Sequence, residues 1–208
     1  MYEYKSKSAQ PGNTVISDTY SHNFRVVLIS TSVRKLQTLS KYLGWFYMIE
    51  LRKVDANNIW DIIKLTVNPD QLNFVATNTE SILEAYTTIT SGSVALPFGL
   101  YNDDILIGFV MFGYDTSGDE DEPNIAKGNY CIWRFMIDKK YQRQGLGKKS
   151  LHAAIEYLKS GPCGLAKYCW LSYEPDNIGA KVLYNSMGFY ENGEMCGEEV
   201  VAILKLIS

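Results

Sequence analysis

Tyr130-Cys131-Ile132-Trp133-Arg134-Phe135-Met136-Ile137-Asp138-Lys139-Lys140-Tyr141-Gln142-Arg143-Gln144-Gly145-Leu146-Gly147-Lys148-Lys149 is the stretch that decides how the chain folds. Its first nine residues, Tyr130–Asp138, are β-branched, aromatic or apolar except Arg134 and Asp138, and read as a buried strand. A helix follows over Gly145–Lys159, with Leu151, Ala154, Ile155 and Leu158 on one face. Between them lies a glycine-containing loop that delivers a helix N-terminus. Such an end offers free backbone N–H groups and a partial positive charge, the means by which backbone binds phosphate oxygens. Gly145 and Gly147 let the backbone approach closely, and Arg143 and Lys148 add charge. Two familiar nucleotide loops fail here. A Walker loop would need glycine at Gln142 and Ser or Thr at Lys149. A dinucleotide fingerprint would need Gly or Ala at Ser150.

Working outward, Tyr168–Tyr173 reads as a strand and Ile178–Met187 as a helix, with Ala180, Leu183, Tyr184 and Met187 at helical spacing. Phe189–Glu194 and Val200–Leu206 close the chain as strands. Upstream, Ile49–Val54 alternates as a strand, and Asn58–Thr66 and Thr79–Ile89 read as helices. Thr79 is the expected cap of the second, with Ile82, Leu83, Ala85, Tyr86 and Ile89 as its apolar face. Val94–Tyr101 and Ile105–Tyr114 form a hairpin about Asn102-Asp103-Asp104. An acidic loop, 115–127, holds Asp115, Asp119, Glu120, Asp121 and Glu122. The order is mixed α/β (α+β), with one domain over 48–208 and a mixed, mostly antiparallel sheet flanked by helices.

The chain has 208 residues, 46% of them apolar and 21% charged, as in a globular protein. No apolar run is long enough to span a membrane. Met1 to Gln10 lacks the apolar core of a secretory signal. Four cysteines without Cys-x-x-Cys spacing and two histidines do not suggest a zinc site, and no metal is expected. Reduced thiols and a cytoplasmic setting are expected. A net charge of −3 does not point to nucleic acid. Residues 1–47 carry six Lys/Arg against two acids, leaving 14 against 21 for the rest. They lack sustained periodicity and are read as a poorly structured or loosely packed N-terminal extension. Three origins stay open: a flexible or added extension before Met48, a weakly packed appendage, or a Ser-rich transit-like segment.

Gln142-x-x-Gly145-x-Gly147 resembles the pyrophosphate loop of the GNAT superfamily of N-acetyltransferases. Asn177-x-x-Ala180-x-x-Leu183-Tyr184-x-x-x-Gly188-Phe189 is similar to that superfamily's second signature. The resemblance covers 48–208. Within the superfamily the chain looks most like bacterial spermine/spermidine (diamine) acetyltransferases. That finer likeness rests on Asp70-Gln71-Leu72, Ser81-Ile82-Leu83-Glu84-Ala85, Gly99-Leu100-Tyr101, Trp133–Asp138 and Leu171-Ser172.

The resemblance implies a fourth strand that splays from the fifth, with acetyl-CoA as co-substrate wedged between them. Main-chain groups of Phe135, Met136 and Ile137 would pair with the pantetheine arm. The loop Gln142, Arg143, Gln144, Gly145, Leu146, Gly147 and Lys148 would hold the pyrophosphate. Asn177 would contact pantetheine. Tyr184 would stand near the sulfur and protonate the leaving thiolate, although periodicity alone would make it a packing residue. A backbone N–H on the fourth strand would polarise the thioester carbonyl. Dimerisation is common in the superfamily.

The base is harder to assign. An alkylamine is neutral in only roughly one part in a thousand at pH 7, a cost of about 4 kcal/mol, so something must take its proton. Some polyamine acetyltransferases carry Glu where this chain has Trp133; Glu174 and Glu84 are the substitutes, and either also reads as a solvated surface charge. Glu80 and Glu84, on the helix pair that walls the acceptor cleft in the superfamily, suit spaced ammonium groups. An excess of acid over 48–208 favours a cationic acceptor. The expected function is therefore acetyl transfer to a primary amine, preferably a polyamine such as spermidine or spermine. The alternatives are another amine (an aminoglycoside, an amino acid or a protein amine) and a non-catalytic acyl-CoA-binding module.

Overall fold

Seven strands build one sheet: β1 (Ile49–Lys53), β2 (Val94–Asn102), β3 (Ile105–Tyr114), β4 (Tyr130–Ile137), β5 (Tyr168–Tyr173), β6 (Tyr190–Cys196) and β7 (Glu199–Lys205). These come from a computed structural model that describes residues 49–118 and 121–207. The expectation for residues 1–47, and Asp119 and Glu120 of the acidic loop, lie outside the described residues. The strand order is β1-β2-β3-β4-β5-β7-β6. Neighbours are antiparallel except β4 and β5, which run parallel. The helices are α1 (Ile59–Ile62), α2 (Asn78–Thr90), α3 (Leu146–Lys159) and α4 (Ile178–Asn185), with 3₁₀ turns at Pro69–Gln71 and Asn124–Ala126.

Strand β3 is covered on both faces, which is why it reads as a continuous apolar run. Its Val110 and Phe112 join a core with Leu151, Ala154, Ile155 and Leu158 of α3. Its Phe109 and Met111 join a second core with Ile62 of α1 and Ala85 of α2. Tyr157 of α3 packs edge-on to Phe98, ring centroids 5.0 Å apart, and stacks on Phe112 at 5.7 Å. A third cluster, Ala126, Cys131, Trp170, Val201 and Ile203, lies under the end of the acidic loop.

The parallel contact between β4 and β5 is confined to two residue pairs, Tyr130 with Cys169 and Cys131 with Trp170. Beyond them the strands diverge, as expected. The junction is pinned from behind. The fully buried Tyr130 hydroxyl donates to the Gly164 carbonyl (2.8 Å) and accepts from the Cys163 N–H (2.8 Å). Beside it the Asn129 side-chain oxygen accepts the Tyr168 N–H at 2.8 Å.

Three local expectations change. The first helix is one turn, Ile59–Ile62, rather than Asn58–Thr66. It tightens into i→i+3 bonds at Lys64 and Leu65 and gives way before Pro69, whose ring disfavours helix in the residue ahead. The cap of α2 is Thr77, not Thr79. Thr77 and Glu80 form a reciprocal capping box, with the Glu80 carboxylate accepting from the Thr77 N–H at 2.9 Å. The buried face of α2 is Asn78, Ser81 and Ala85, while Leu83, Tyr86 and Ile89 are exposed. Small side chains let this helix lie close to the sheet, and the Asn78 amide donates to the Ile62 carbonyl at 2.8 Å.

Two substitutions test this framework. Tyr130→Phe leaves a half-buried N–H and a half-buried carbonyl unpaired and is expected to lower stability by about 1–3 kcal/mol in urea unfolding. An unchanged midpoint would show that the junction needs no pin. A Cβ on Gly108 would press into the Met136 carbonyl of β4. Gly108→Ala is therefore expected to cost about 1–3 kcal/mol by overpacking, against no change if β3 can yield.

Candidate active site

Where β4 and β5 part, a cleft of about 1010 Å³ runs through the sheet. One side is lined by Ile137, Gln142, Arg143, Gly147, Asn177, Ala180, Leu183 and Tyr184. The other side carries Cys131, Trp133, Trp170, Ser172, Glu122 and Glu199. Phe135, Met136 and Ile137 form its β4 wall. They pair with Val110, Phe109 and Gly108 of β3 along one edge and have no strand partner on the edge facing the cleft. The register of β3 and β4 slips at Trp133, which stands opposite no β3 residue. A bulge of this kind turns backbone groups out of the ladder.

The bulge is braced by a cation. Arg134 donates from Nη1 to the Trp133 carbonyl (2.9 Å) and from Nη2 to both Glu84 carboxylate oxygens (2.9 and 3.2 Å). Its guanidinium also lies 5.7 Å from the Trp133 ring centre.

The loop after β4 is set by buried polar groups. Asp138 is 4% exposed and accepts the backbone N–H groups of Thr66 and Lys140, each at 3.0 Å. Gln142 donates to the Ile137 carbonyl (3.0 Å) and to Gln71 (2.8 Å), and accepts from Asn68 (2.8 Å). Its side chain is thus a clamp between β4 and the 3₁₀ turn at Pro69–Gln71. Arg143 (φ 59°) and Gly145 (φ 74°) take left-handed conformations, and Gly145 caps α3. This turn aims the first N–H groups of α3 outward, unpaired within the helix. Arg143, Gln144, Gly145 and Lys148 are exposed, Gly147 lines the cleft, and Leu146 is buried in the core. The Gln144 amide donates back to the Lys140 carbonyl at 3.0 Å.

Asn177 caps α4, its side-chain oxygen accepting the Ala180 N–H at 3.1 Å, and it faces the cleft. Tyr184, two turns on, is 8% exposed, between the rings of Tyr173 (5.7 Å) and Phe189 (5.9 Å). Its hydroxyl has no hydrogen-bond partner among the described residues. Burial, followed by the negative charge of Glu199, pushes its pKa well above that of an ordinary phenol. It therefore holds its proton at neutral pH.

The three acidic residues singled out from sequence lie elsewhere. Glu80 is exposed and engaged in the capping box, whose hydrogen bonds lower its pKa. Glu84 is paired to Arg134, and Glu174 is half-buried just past β5. None of the three lines the cleft, whereas Glu122 and Glu199 do. Glu199 accepts a short hydrogen bond from the Ser172 hydroxyl, and Glu122 accepts from Thr116 at 3.1 Å. Glu199 was not legible as a site residue because it opens a strand after a tight hairpin, where it reads as a solvated turn charge. Asn68, Gln71 and Asp138 also escaped, since their polar contacts span up to 74 positions in sequence.

Among the described residues no group of three or more His, Cys, Asp or Glu could hold a metal, and no helix is long and apolar enough to cross a membrane. The family model of the acetyltransferase (GNAT) family matches residues 60–189. A spermine/spermidine N(1)-acetyltransferase of Bacillus subtilis (strain 168) is 36% identical over 155 residues, which span 74% of this chain and 96% of that protein. An aminoglycoside acetyltransferase solved with coenzyme A superposes with a TM-score of 0.61 at 19% identity, covering 76% of this chain and 94% of that one. The spermidine N-acetyltransferase of Vibrio cholerae, solved with CoA and spermine, gives 0.56 at 17%, covering 77% and 97%. With both signatures placed on the walls of one cleft and the family model spanning most of the sheet, the chain belongs to the GNAT family of acetyltransferases.

Proposed function

We propose that this protein transfers the acetyl group of acetyl-CoA directly to a primary amine of a polyamine such as spermidine or spermine. The observation that carries the reading is the unpaired β4 edge running into a glycine-bearing loop and a helix N-terminus within one cleft. The substrate class follows the name of the B. subtilis relative and the two carboxylates lining the cleft. All four cysteines are free, which suits a cytoplasmic setting.

The residues fit acetyl-CoA, which supplies the acetyl group as a thioester. The β4 edge at Phe135 to Ile137 offers extended backbone to a pantetheine arm carrying amides. The Met136 carbonyl faces Gly108 of β3 and the Ile137 carbonyl is taken by Gln142, so the backbone groups of Phe135 and the Ile137 N–H bear most of this pairing. The α3 N-terminus, with Gly145 and Gly147 admitting close approach and Arg143 and Lys148 adding charge, receives the pyrophosphate. Gln142 and Leu146 shape the loop rather than touch phosphate. The Asn177 amide nitrogen, unused in its cap, donates to pantetheine. At the Trp133 bulge a backbone N–H freed from the ladder polarises the thioester carbonyl. Arg134, bonded to the Trp133 carbonyl, holds that peptide in place. Tyr184 donates its phenolic proton to the departing thiolate.

Thiol release with a panel of spermine, spermidine, putrescine, an aminoglycoside, amino acids and a lysine peptide tests the reading. Turnover is expected for the polyamines, and turnover confined to the other amines would overturn the substrate class. Tyr184→Phe is expected to lower kcat by about 10²-fold or more with acetyl-CoA affinity preserved, in line with a lost general acid. A matching loss of affinity would make Tyr184 a packing residue. Because its pKa is raised, Tyr184 stays protonated beyond the usual phenol range, near 10. Turnover is thus expected to rise from pH 7 to 9.5 as the amine deprotonates, with no descending limb from Tyr184 in that interval. A limb that falls below pH 9 and vanishes in Tyr184→Phe would refute this.

A further inference from the structure

Resting on that reading, we infer that Glu84 is a positioning residue for acetyl transfer that acts through Arg134. The pair sets the backbone of the Trp133 bulge against the thioester, and it governs the transfer step rather than binding of the carrier. Neither residue lies in the glycine-bearing loop or in the stretch from Asn177 to Phe189. Glu84 carries the charge expected of a substrate-binding or proton-accepting group, and the structure gives it this other task.

The need for such a device follows from the strand pairing. Trp133 is the one residue of β4 with no residue opposite it in either neighbouring strand. Met111 of β3 stands opposite Arg134 and Phe112 opposite Ile132, while β5 pairs only with Tyr130 and Cys131. A peptide outside any ladder can rotate, and a rotated one would turn a carbonyl dipole toward the oxygen on which negative charge develops. The Trp133 carbonyl is held instead by Arg134 Nη1 at 2.9 Å. Arg134 is in turn oriented by Glu84, both of whose carboxylate oxygens accept from Nη2, at 2.9 and 3.2 Å. Both ends are partly shielded, with 21% of the Arg134 side chain and 40% of the Glu84 side chain exposed, which strengthens the pair over one on the open surface. Trp133 and Arg134 both line the cleft.

Glu84 serves as an anchor because α2 is itself fixed. The capping box of Thr77 and Glu80 secures its first turn, and the Asn78 amide donates to the Ile62 carbonyl at 2.8 Å. Ala85, next to Glu84, packs in one core with Met136 of β4. The support therefore runs from α2 through Glu84 and Arg134 to the Trp133 carbonyl. The groups that would hold the carrier stand apart from it: the side-chain hydrogen bonds of Arg134 go to Trp133 and Glu84, and none goes to Phe135, the loop before α3 or Asn177. Only a planar fork can meet a carbonyl with one arm and a carboxylate with the other, which a lysine ammonium does not reproduce.

The test uses the full-length chain and the variants R134M, R134K and E84Q, with circular dichroism as a check on folding. Three quantities are read: kcat with the amine that wild type turns over fastest, the acetyl-CoA Kd, and the infrared carbonyl stretch of bound, carbonyl-labelled acetyl-CoA. R134M is expected to lower kcat by about 10²-fold, the scale of a small misplacement at a reacting centre. R134K keeps the charge but not the fork and is expected to lose about tenfold or more. The acetyl-CoA Kd should stay within about twofold, the split that separates a transition-state effect from uniform binding. The carbonyl stretch, lowered in wild type by polarisation, should move back toward that of free acetyl-CoA in R134M. E84Q should lower kcat by itself and add nothing in the R134M background, because Glu84 acts through Arg134. Unchanged kcat and carbonyl stretch in the arginine variants, an equal loss of acetyl-CoA affinity, or losses that multiply in the double variant would each overturn the inference and leave the proposed function standing. If R134M does not fold, R134K and E84Q decide. A wild type that turns over no amine overturns the proposed function, and the carbonyl stretch then decides the inference alone; a chain that binds no acetyl-CoA overturns both.

Discussion

Among the described residues, strand pairing between the two halves of the sheet is confined to two residue pairs, Tyr130 with Cys169 and Cys131 with Trp170. Everything functional depends on their being only two. A parallel ladder continued to Ile137 would satisfy the backbone of both strands and leave nowhere for a thioester to lie. The strands instead diverge, and the cost of unpaired backbone is met by what enters the gap. The divergence holds because its base is fixed: the Tyr130 hydroxyl ties β4 to the turn at Cys163 and Gly164, and Asn129 holds the first residue of β5. It stays open because the Trp133 bulge, braced by Arg134 and Glu84, breaks the pairing rhythm of β4.

The same economy governs the loop. Side chains that a motif would assign to ligand binding turn out to build the shape that binds. Gln142 spends its amide on Ile137, Gln71 and Asn68, and Asp138 is committed to Thr66 and Lys140. Backbone N–H groups are left to meet an anion, in keeping with how helix termini recognise phosphate.

How much of this could be read beforehand follows from the range of each interaction. Strands and helices with strong periodicity, from Tyr130 to Tyr173, were legible because their pattern is local. So was the loop, since Gly145 and Gly147 stand two apart and declare a backbone conformation. The α2 cap was equally local, in Thr77-x-x-Glu80, but an apolar stripe at Leu83, Tyr86 and Ile89 pointed to the wrong face. Burial there is decided by how closely backbone can approach, which favours Ser81 and Ala85. The acidic groups of the cleft were the least legible. Charge composition foretells a cationic partner, yet which carboxylates face it depends on a hairpin turn and a loop closing over the sheet. Glu84 carries the right charge but is used to hold Arg134; Glu199 looks like a turn residue and faces the cleft.

The cleft passes through the sheet, with one signature on the helix side and the carboxylates on the other. On the reading proposed above, the acyl carrier and the acceptor would have separate doors. Neither need leave for the other to arrive, and each wall answers to its own set of residues. Inheritance can then act on the walls independently. A lineage could exchange the β6–β7 hairpin and the acidic loop, and so acquire a new acceptor, without disturbing the strand edge and helix terminus that hold the acyl carrier.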